Sequence, residues 1–267
     1  MATTPDAIAR NEELNKKAKI TLYWLEQSRA QRILWLLEEL SLSYDLKTFK
    51  RGSDMLAPPE LKKIHPLGKS PVITIEPTDS EQKLVLAESG NIVEVLCEFY
   101  GRWLVPARWT PGKEGQIDGE TEEWRRYRYF LQYAEGSLMP FLVLKLVALN
   151  IRKAPVPFFL KFITGKISDG IESSFVDPNI ATNLGFLEQQ LATAPNGGPY
   201  LCGDKLTGAD ILLSFPLEAC RARAGATPDK YPKVCAYLQL LLERDAYKKA
   251  VQKIVEVEGE FKGIQGA

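Results

Sequence analysis

Ile64-His65-Pro66-Leu67-Gly68-Lys69-Ser70-Pro71-Val72-Ile73-Thr74-Ile75 reads as a turn that feeds a strand. Pro66 and Gly68 end any helix begun at Pro59. Val72 to Ile75 is a β-branched run between Pro71 and Pro77, which suits a short strand. Ser70-Pro71 stands directly before it. Proline has no N–H, so it fits a strand only at the first residue or an edge. A cis Ser70–Pro71 bond would turn the chain sharply and leave the Ser70 N–H and C=O facing outward. An extended peptide can pair with such a backbone as one more strand.

Upstream, Lys19 to Trp24 (KITLYW) has the β-branched and aromatic content of a strand. After the loop Leu25-Glu26-Gln27, Ser28 opens a helix. Ser28 and Gln31 have the spacing of a capping box. Ala30, Ile33, Leu34, Leu37 and Leu40 form one apolar helical face. Leu42 to Phe49 alternates and fits a second strand, so this segment predicts a right-handed βαβ unit. A polar stretch, Lys50 to Ala57, and a short helix from Pro59 lead to the turn. Downstream, Pro77-Thr78-Asp79-Ser80 is a turn signal. Gln82 to Leu86 fits a returning strand, and Glu88-Ser89-Gly90 starts a helix with Ile92, Val95, Leu96 and Phe99 on its apolar face. The order describes a small mixed four-stranded sheet with helices on both faces, thioredoxin-like in topology.

Residues 1–18 are polar and mixed in charge, lack the apolar core of a signal peptide, and read as a mobile lead-in. The sheet domain is assigned to 19–101. The Gly-, Pro- and Trp-rich 102–119 is a linker. Residues 120–258 carry helical periodicity only and are assigned to an all-α domain; 259–267 reads as a loose tail. Pro140 is expected to kink or divide the first long helix of that domain. Thr207 and Asp210 have capping-box spacing before a buried helix, with a structural role. In the stretch 141–163, Phe141 to Ile151 is apolar but interrupted at Lys145 and ended by Asn150 and Arg152. After a break at Ala154–Pro157, Phe158 to Ile163 starts another apolar helix, for which core packing is the default. A pocket wall, a dimer interface and a membrane surface are its other readings.

With 267 residues the chain has room for one large domain or two modest ones. Its 34 basic and 34 acidic residues cancel, which argues against a nucleic-acid binder working through a basic face. Cys97, Cys202, Cys220 and Cys235 show no paired spacing and read as free thiols in a reducing, cytoplasmic setting; peripheral membrane association stays open. One histidine, His65, excludes a His-rich metal site, and no metal is expected. No uninterrupted apolar run reaches the roughly 20 residues of a membrane span, so no transmembrane segment is expected.

The predicted topology converges three polar groups. Ser28 follows the first strand, Ser70 precedes the third, and Glu88 and Ser89 follow the fourth at a helix start. The free N–H groups and dipole of that helix suit a carboxylate at Ser89, with Glu88 beside it for an ammonium. Lys69 can hold a second carboxylate. A ligand with an amino-acid head, an extended middle and a terminal carboxylate fits, and glutathione has that form. Plainer readings stand beside these. Ser28 caps a helix, Glu88-Ser89 begins one, Lys69 is a solvated turn residue, and His65 is structural.

SRAQRILWLLEEL (Ser28–Leu40), PPELKKIHPLGKSPV (Pro58–Val72) and LAESGNIVEVL (Leu86–Leu96) resemble the first domain of glutathione S-transferases, of the fungal and bacterial branch. YAEGSLMP (Tyr133–Pro140) and LTGADILLSFPL (Leu206–Leu217) extend the likeness into the second half. The resemblance implies that Ser28 donates a hydrogen bond to the glutathione sulfur and that Ser70, before Pro71, pairs through its backbone with the cysteinyl unit. It implies that Glu88 and Ser89 bind the γ-glutamyl end and Lys69 the glycine end. Tyr23 is a rival sulfur donor, and Arg29 adds positive charge if it points inward. A homodimer and a hydrophobic electrophile are the implied partners, in detoxification. The alternatives are a non-catalytic glutathione-binding regulatory module and a glutathione-dependent peroxidase using the same site.

Overall fold

The computed structural model describes residues 5–15 and 17–264. An N-terminal α/β unit is built on four strands: β1 (Ala18–Leu25), β2 (Asp45–Phe49), β3 (Val72–Pro77) and β4 (Leu84–Ala87). The sheet order is β2-β1-β3-β4; β1 and β2 are parallel, while β3 is antiparallel to both β1 and β4. Helices α2 (Ala30–Glu39) and α3 (Ser89–Tyr100) cover one face. Ile20, Leu22, Trp24 and Ile73 meet them there in the main core. The period-two alternation sends Tyr23 and Leu25 to the other face, where they pack with Val72 and with Leu61 of a short 3-10 helix.

Two expectations change at the ends of this unit. The lead-in is a helix, α1 (Pro5–Asn15), whose buried Asn11 donates to the Leu40 carbonyl at 2.7 Å. That bond satisfies one of the carbonyls left free where α2 ends. The second strand begins at Asp45, not Leu42. Ser41 has φ +52°, and the Ser41 and Leu42 N–H groups bond back to Glu38 and Leu37. This is the helix-ending motif in which an apolar residue after the left-handed position folds onto the helix. Buried Leu42 therefore belongs to the helix terminus, though its alternation imitates a strand.

The remainder is helical: α4 (Glu122–Tyr133), α5 (Met139–Arg152), α6 (Lys161–Ile171), α7 (Asp177–Ala192), α8 (Gly208–Arg223), α9 (Pro232–Leu242) and α10 (Asp245–Glu258). Pro140, expected to kink or divide the long helix, does not divide it: Glu122–Arg152 is continuous. A π turn over Ala134–Leu138 carries α4 into α5, and Pro140 sits in the first turn of α5, where a missing N–H costs little. A second π turn, Glu172–Val176, joins α6 to α7 ahead of Pro178.

Helix α8 is the axis of this half. Its Asp210 is fully buried and accepts from the Thr207 N–H at 2.8 Å, the Thr207 hydroxyl at 2.6 Å, the Leu201 N–H at 3.3 Å and the Tyr237 hydroxyl at 2.6 Å. Arg32 of α2 is also buried; it donates to the Leu212 carbonyl of α8 at 2.6 Å and pairs with Glu135 in the first π turn. Burial pushes the Arg32 guanidinium down to about 10, against the attraction of Glu135. Asp210→Ala strands several buried donors, each worth about 1–3 kcal/mol when left unpaired. Urea unfolding of this variant is expected to show a loss on the order of 3 kcal/mol or more. A loss near 1 kcal/mol, that of a simple cap, would show that the network contributes nothing beyond capping.

Candidate functional site

The strand pattern fixes where the polar groups meet. Val72, the first residue of β3, stands opposite Tyr23 in β1 and Ala87 in β4. Both neighbours run antiparallel to β3, so their carboxyl ends lie at its amino end. The pairing ends there: Ser70 and Pro71 precede Val72, and Glu88 and Ser89 follow Ala87, so both pairs lie at the same end of the sheet. The Ser70–Pro71 bond is cis. The Ser70 hydroxyl donates to the Tyr23 carbonyl at 3.0 Å and ties the turn to β1. No backbone group among the described residues takes the Ser70 N–H or C=O.

Ser28 is buried, and its Oγ accepts from the Ala30 N–H at 3.1 Å. An oxygen that already accepts from an amide keeps its own proton for another acceptor. The expected capping box with Gln31 does not form. Gln31 is buried and accepts instead from the Trp24 indole N–H at 3.1 Å, which ties β1 to α2 beside Ser28. Glu88 is exposed at the N-cap of α3 with φ +65°, a region costly for a side chain other than glycine. Ser89 is buried in the first turn of α3, whose leading N–H groups have no helical partner.

The other predicted residues divide. Lys69 is exposed at the same turn. His65 accepts the Leu67 N–H at 3.4 Å, a local turn contact. Arg29 is turned toward the helical half, 3.0 Å from Glu135, and its charge is spent there. Tyr23 lies on the sheet face away from Leu22 and Trp24, with Lys47 Nζ 5.5 Å from its ring centre. Ser28 stands at the start of α2, on the other face.

Several neighbours of Ser28 come from far along the chain. Arg51 donates to the Glu26 carbonyl at 3.2 Å, the Gln27 carbonyl at 3.2 Å and the Met55 carbonyl at 3.0 Å, clamping the loop before Ser28. A small pocket brings Ser28 and Gln31 together with Phe215 and Glu218 of α8 and with Phe261 and Ile264 after α10. The tail, expected to be loose, is thus packed beside Ser28 through residue 264; 265–267 lie outside the described residues. Burial raises the Glu218 carboxyl to about 7, although the Tyr247 hydroxyl donates to it at 3.1 Å. A cavity of about 500 Å³ lies elsewhere, walled by Trp103, Leu104, Val105, Leu206 and the Glu39–Arg244 ion pair.

Comparison with known proteins identifies the family. The family model described as glutathione S-transferase, N-terminal domain, matches residues 28–98, and that described as glutathione S-transferase, C-terminal domain, matches 172–245. Glutathione S-transferase 1 of Saccharomyces cerevisiae is 34% identical over 242 residues, covering 91% of this chain and 98% of that protein. The chain belongs to the glutathione S-transferase family. Glutathione S-transferase 3 of Schizosaccharomyces pombe is 29% identical, covering 88% of each chain. A solved glutathione S-transferase from Actinobacillus pleuropneumoniae is 31% identical with a TM-score of 0.61, over 88% of this chain and 92% of that one. A glutathione transferase homologue from Sulfitobacter, solved with bound glutathione, shares the fold at 17% identity and a TM-score of 0.62, over 88% of this chain and 98% of its own.

The Glu218 carboxyl stands above its unfolded value of about 4.3. It therefore contributes stability that is complete below that value and lost as pH rises through about 7. Glu218→Gln is expected to lose less stability than the parent between those pH values, measured by urea unfolding at each pH. Parallel pH profiles for the two proteins would show that the carboxyl is not held protonated.

Proposed function

We propose that this transferase binds glutathione as an added strand on Ser70 and activates its thiol at Ser28 for attack on a hydrophobic electrophile. The observation that carries the reading is the strand register, which gathers Ser28, Ser70, Glu88 and Ser89 at one end of the sheet. The tripeptide's cysteinyl backbone pairs with the Ser70 N–H and C=O. The α-carboxylate of its γ-glutamyl end sits at the α3 amino end by Ser89, its ammonium meets Glu88, and Lys69 takes the glycine carboxylate.

The sulfur then lies at the start of α2. A thiol with pKa about 8.5 needs roughly 2.7 kcal/mol to fall by two units. A hydrogen bond to a charged acceptor supplies about 1.5–3 kcal/mol. A helix amino end adds about 0.3–1 kcal/mol. Together they suffice. Ser28 is preferred to Tyr23 because its hydroxyl proton is uncommitted and Tyr23 occupies the opposite sheet face. The thiolate attacks the electrophilic carbon, the leaving group departs with the bonding pair, and the conjugate is released. Trp24, Phe215 and Phe261 line the pocket of about 10 Å³ at Ser28, so the tail residues Phe261 to Ile264 must move for a substrate to enter there. A homodimer, a cytoplasmic setting and a detoxification role complete the reading.

Ser28→Ala is expected to lower kcat with chlorodinitrobenzene about 10- to 100-fold, the loss of one charge-assisted hydrogen bond, while the Kd for glutathione barely changes. Glu88→Ala is expected to weaken glutathione binding about 10- to 100-fold by titration calorimetry. Unchanged turnover in Ser28→Ala moves the sulfur donor elsewhere. Tight glutathione binding with no turnover on any electrophile or peroxide converts the reading to a binding module.

A further inference from the structure

The hairpin of α5 and α6 is arranged with polar groups inside and apolar groups outside. Within it, Ser168 is buried, its hydroxyl oxygen 2.8 Å from the Ala148 carbonyl and 2.7 Å from the Glu172 carboxylate. Lys145 pairs with Glu172 and, at 2.8 Å, with Asp177; Arg152 meets Glu172 at 2.8 Å. The outer surface carries Phe158, 85% exposed, Phe159, 65%, Phe162, 64%, Ile163, 50%, and Ile167, 48%. Val143 and Val147 of α5 are exposed as well. Ser168 is the one buried residue of α6. Soluble proteins seldom leave so large an apolar patch without a use.

Charge identifies the use. Residues 150–171 contain Arg152, Lys153, Lys161 and Lys166 against one carboxylate, Asp169, which pairs with Arg152, in a chain whose net charge is zero. Lys153, Lys161 and Lys166 are exposed, and no ion pair engages them among the described residues. Lys166 Nζ stands 4.4 Å from the Phe162 ring centre, so cation and apolar ring share one surface. A bilayer interface suits this pairing: aromatic rings enter the acyl boundary while lysines reach up to phosphates. A second copy of the chain suits it less, because matching faces would set like charges against each other.

We propose that the tip of the α5–α6 hairpin, Phe158 to Ile167, docks on an anionic lipid surface. The chain then lies on the membrane and does not cross it. The continuous helix Glu122–Arg152 is long and apolar enough to span a bilayer by length and composition, but Lys145 and its carboxylate partners hold it to the rest of the hairpin. Juxtaposed Lys side chains make such docking depend on lipid charge and on salt.

The test is co-sedimentation of the full chain with vesicles of phosphatidylcholine, with or without phosphatidylserine. Sedimentation with phosphatidylserine vesicles, reduced at least tenfold by high salt, is expected. A Phe158→Ser, Phe159→Ser, Phe162→Ser variant should lose binding about tenfold or more, and Lys161→Glu with Lys166→Glu should abolish the preference for phosphatidylserine. Both sets are exposed, and unchanged thermal melting verifies that they fold. Failure of the parent to sediment, or binding that survives the phenylalanine changes, overturns the proposal. So does a parent that avoids vesicles while the phenylalanine variant dissociates in sedimentation velocity, which assigns the patch to a second copy.

Discussion

Antiparallel pairing of β3 with both of its neighbours is the constraint on which everything else rests. It makes the start of one strand coincide with the ends of two others. Each end continues into a turn or a helix, so three separate stretches of sequence deliver polar groups to one edge. A parallel β3 would send the helices after β1 and β4 to the opposite end from Ser70. The site is a consequence of topology before it is a consequence of side chains.

The helical half holds that edge in place. Arg32 bridges α2 to α8 and to Glu135, and Arg29 shares the same carboxylate. Two basic side chains at the start of α2 are thereby paired with one carboxylate of the helical half. Trp24 and Gln31 lock the strand to the helix from within, and Arg51 clamps the intervening loop from outside. Ser28 is set by neighbours on several sides, which favours a fixed geometry over an adaptable one. The packed tail then makes the C-terminal residues part of the same wall.

What was legible in the sequence follows the range of each interaction. The Val72–Ile75 strand, the Ser70-Pro71 turn and the α3 start are local events, written in β-branching, proline and small polar residues. The Thr207–Asp210 signal was legible for the same reason, although its Tyr237 partner was not. Gln31 was misread because the capping spacing is local, whereas its Trp24 partner sits on a strand that only the fold brings near. Leu42 was misread because a helix-ending apolar residue and a strand's first residue look alike in one dimension. Arg51, Glu218 and Phe261 carried no signal, since what makes them part of the site is contact across the chain. The α5–α6 stretch was legible as apolar; its outward orientation was not, because periodicity alone does not say which face is covered.

The most direct measurement is a crystal structure of the protein with glutathione. The account predicts the cysteinyl backbone paired with the Ser70 N–H and C=O and the sulfur within hydrogen-bonding distance of Ser28 Oγ. Glutathione found instead in the cavity beside Trp103, or seated at the edge with its sulfur turned to Tyr23, would contradict it.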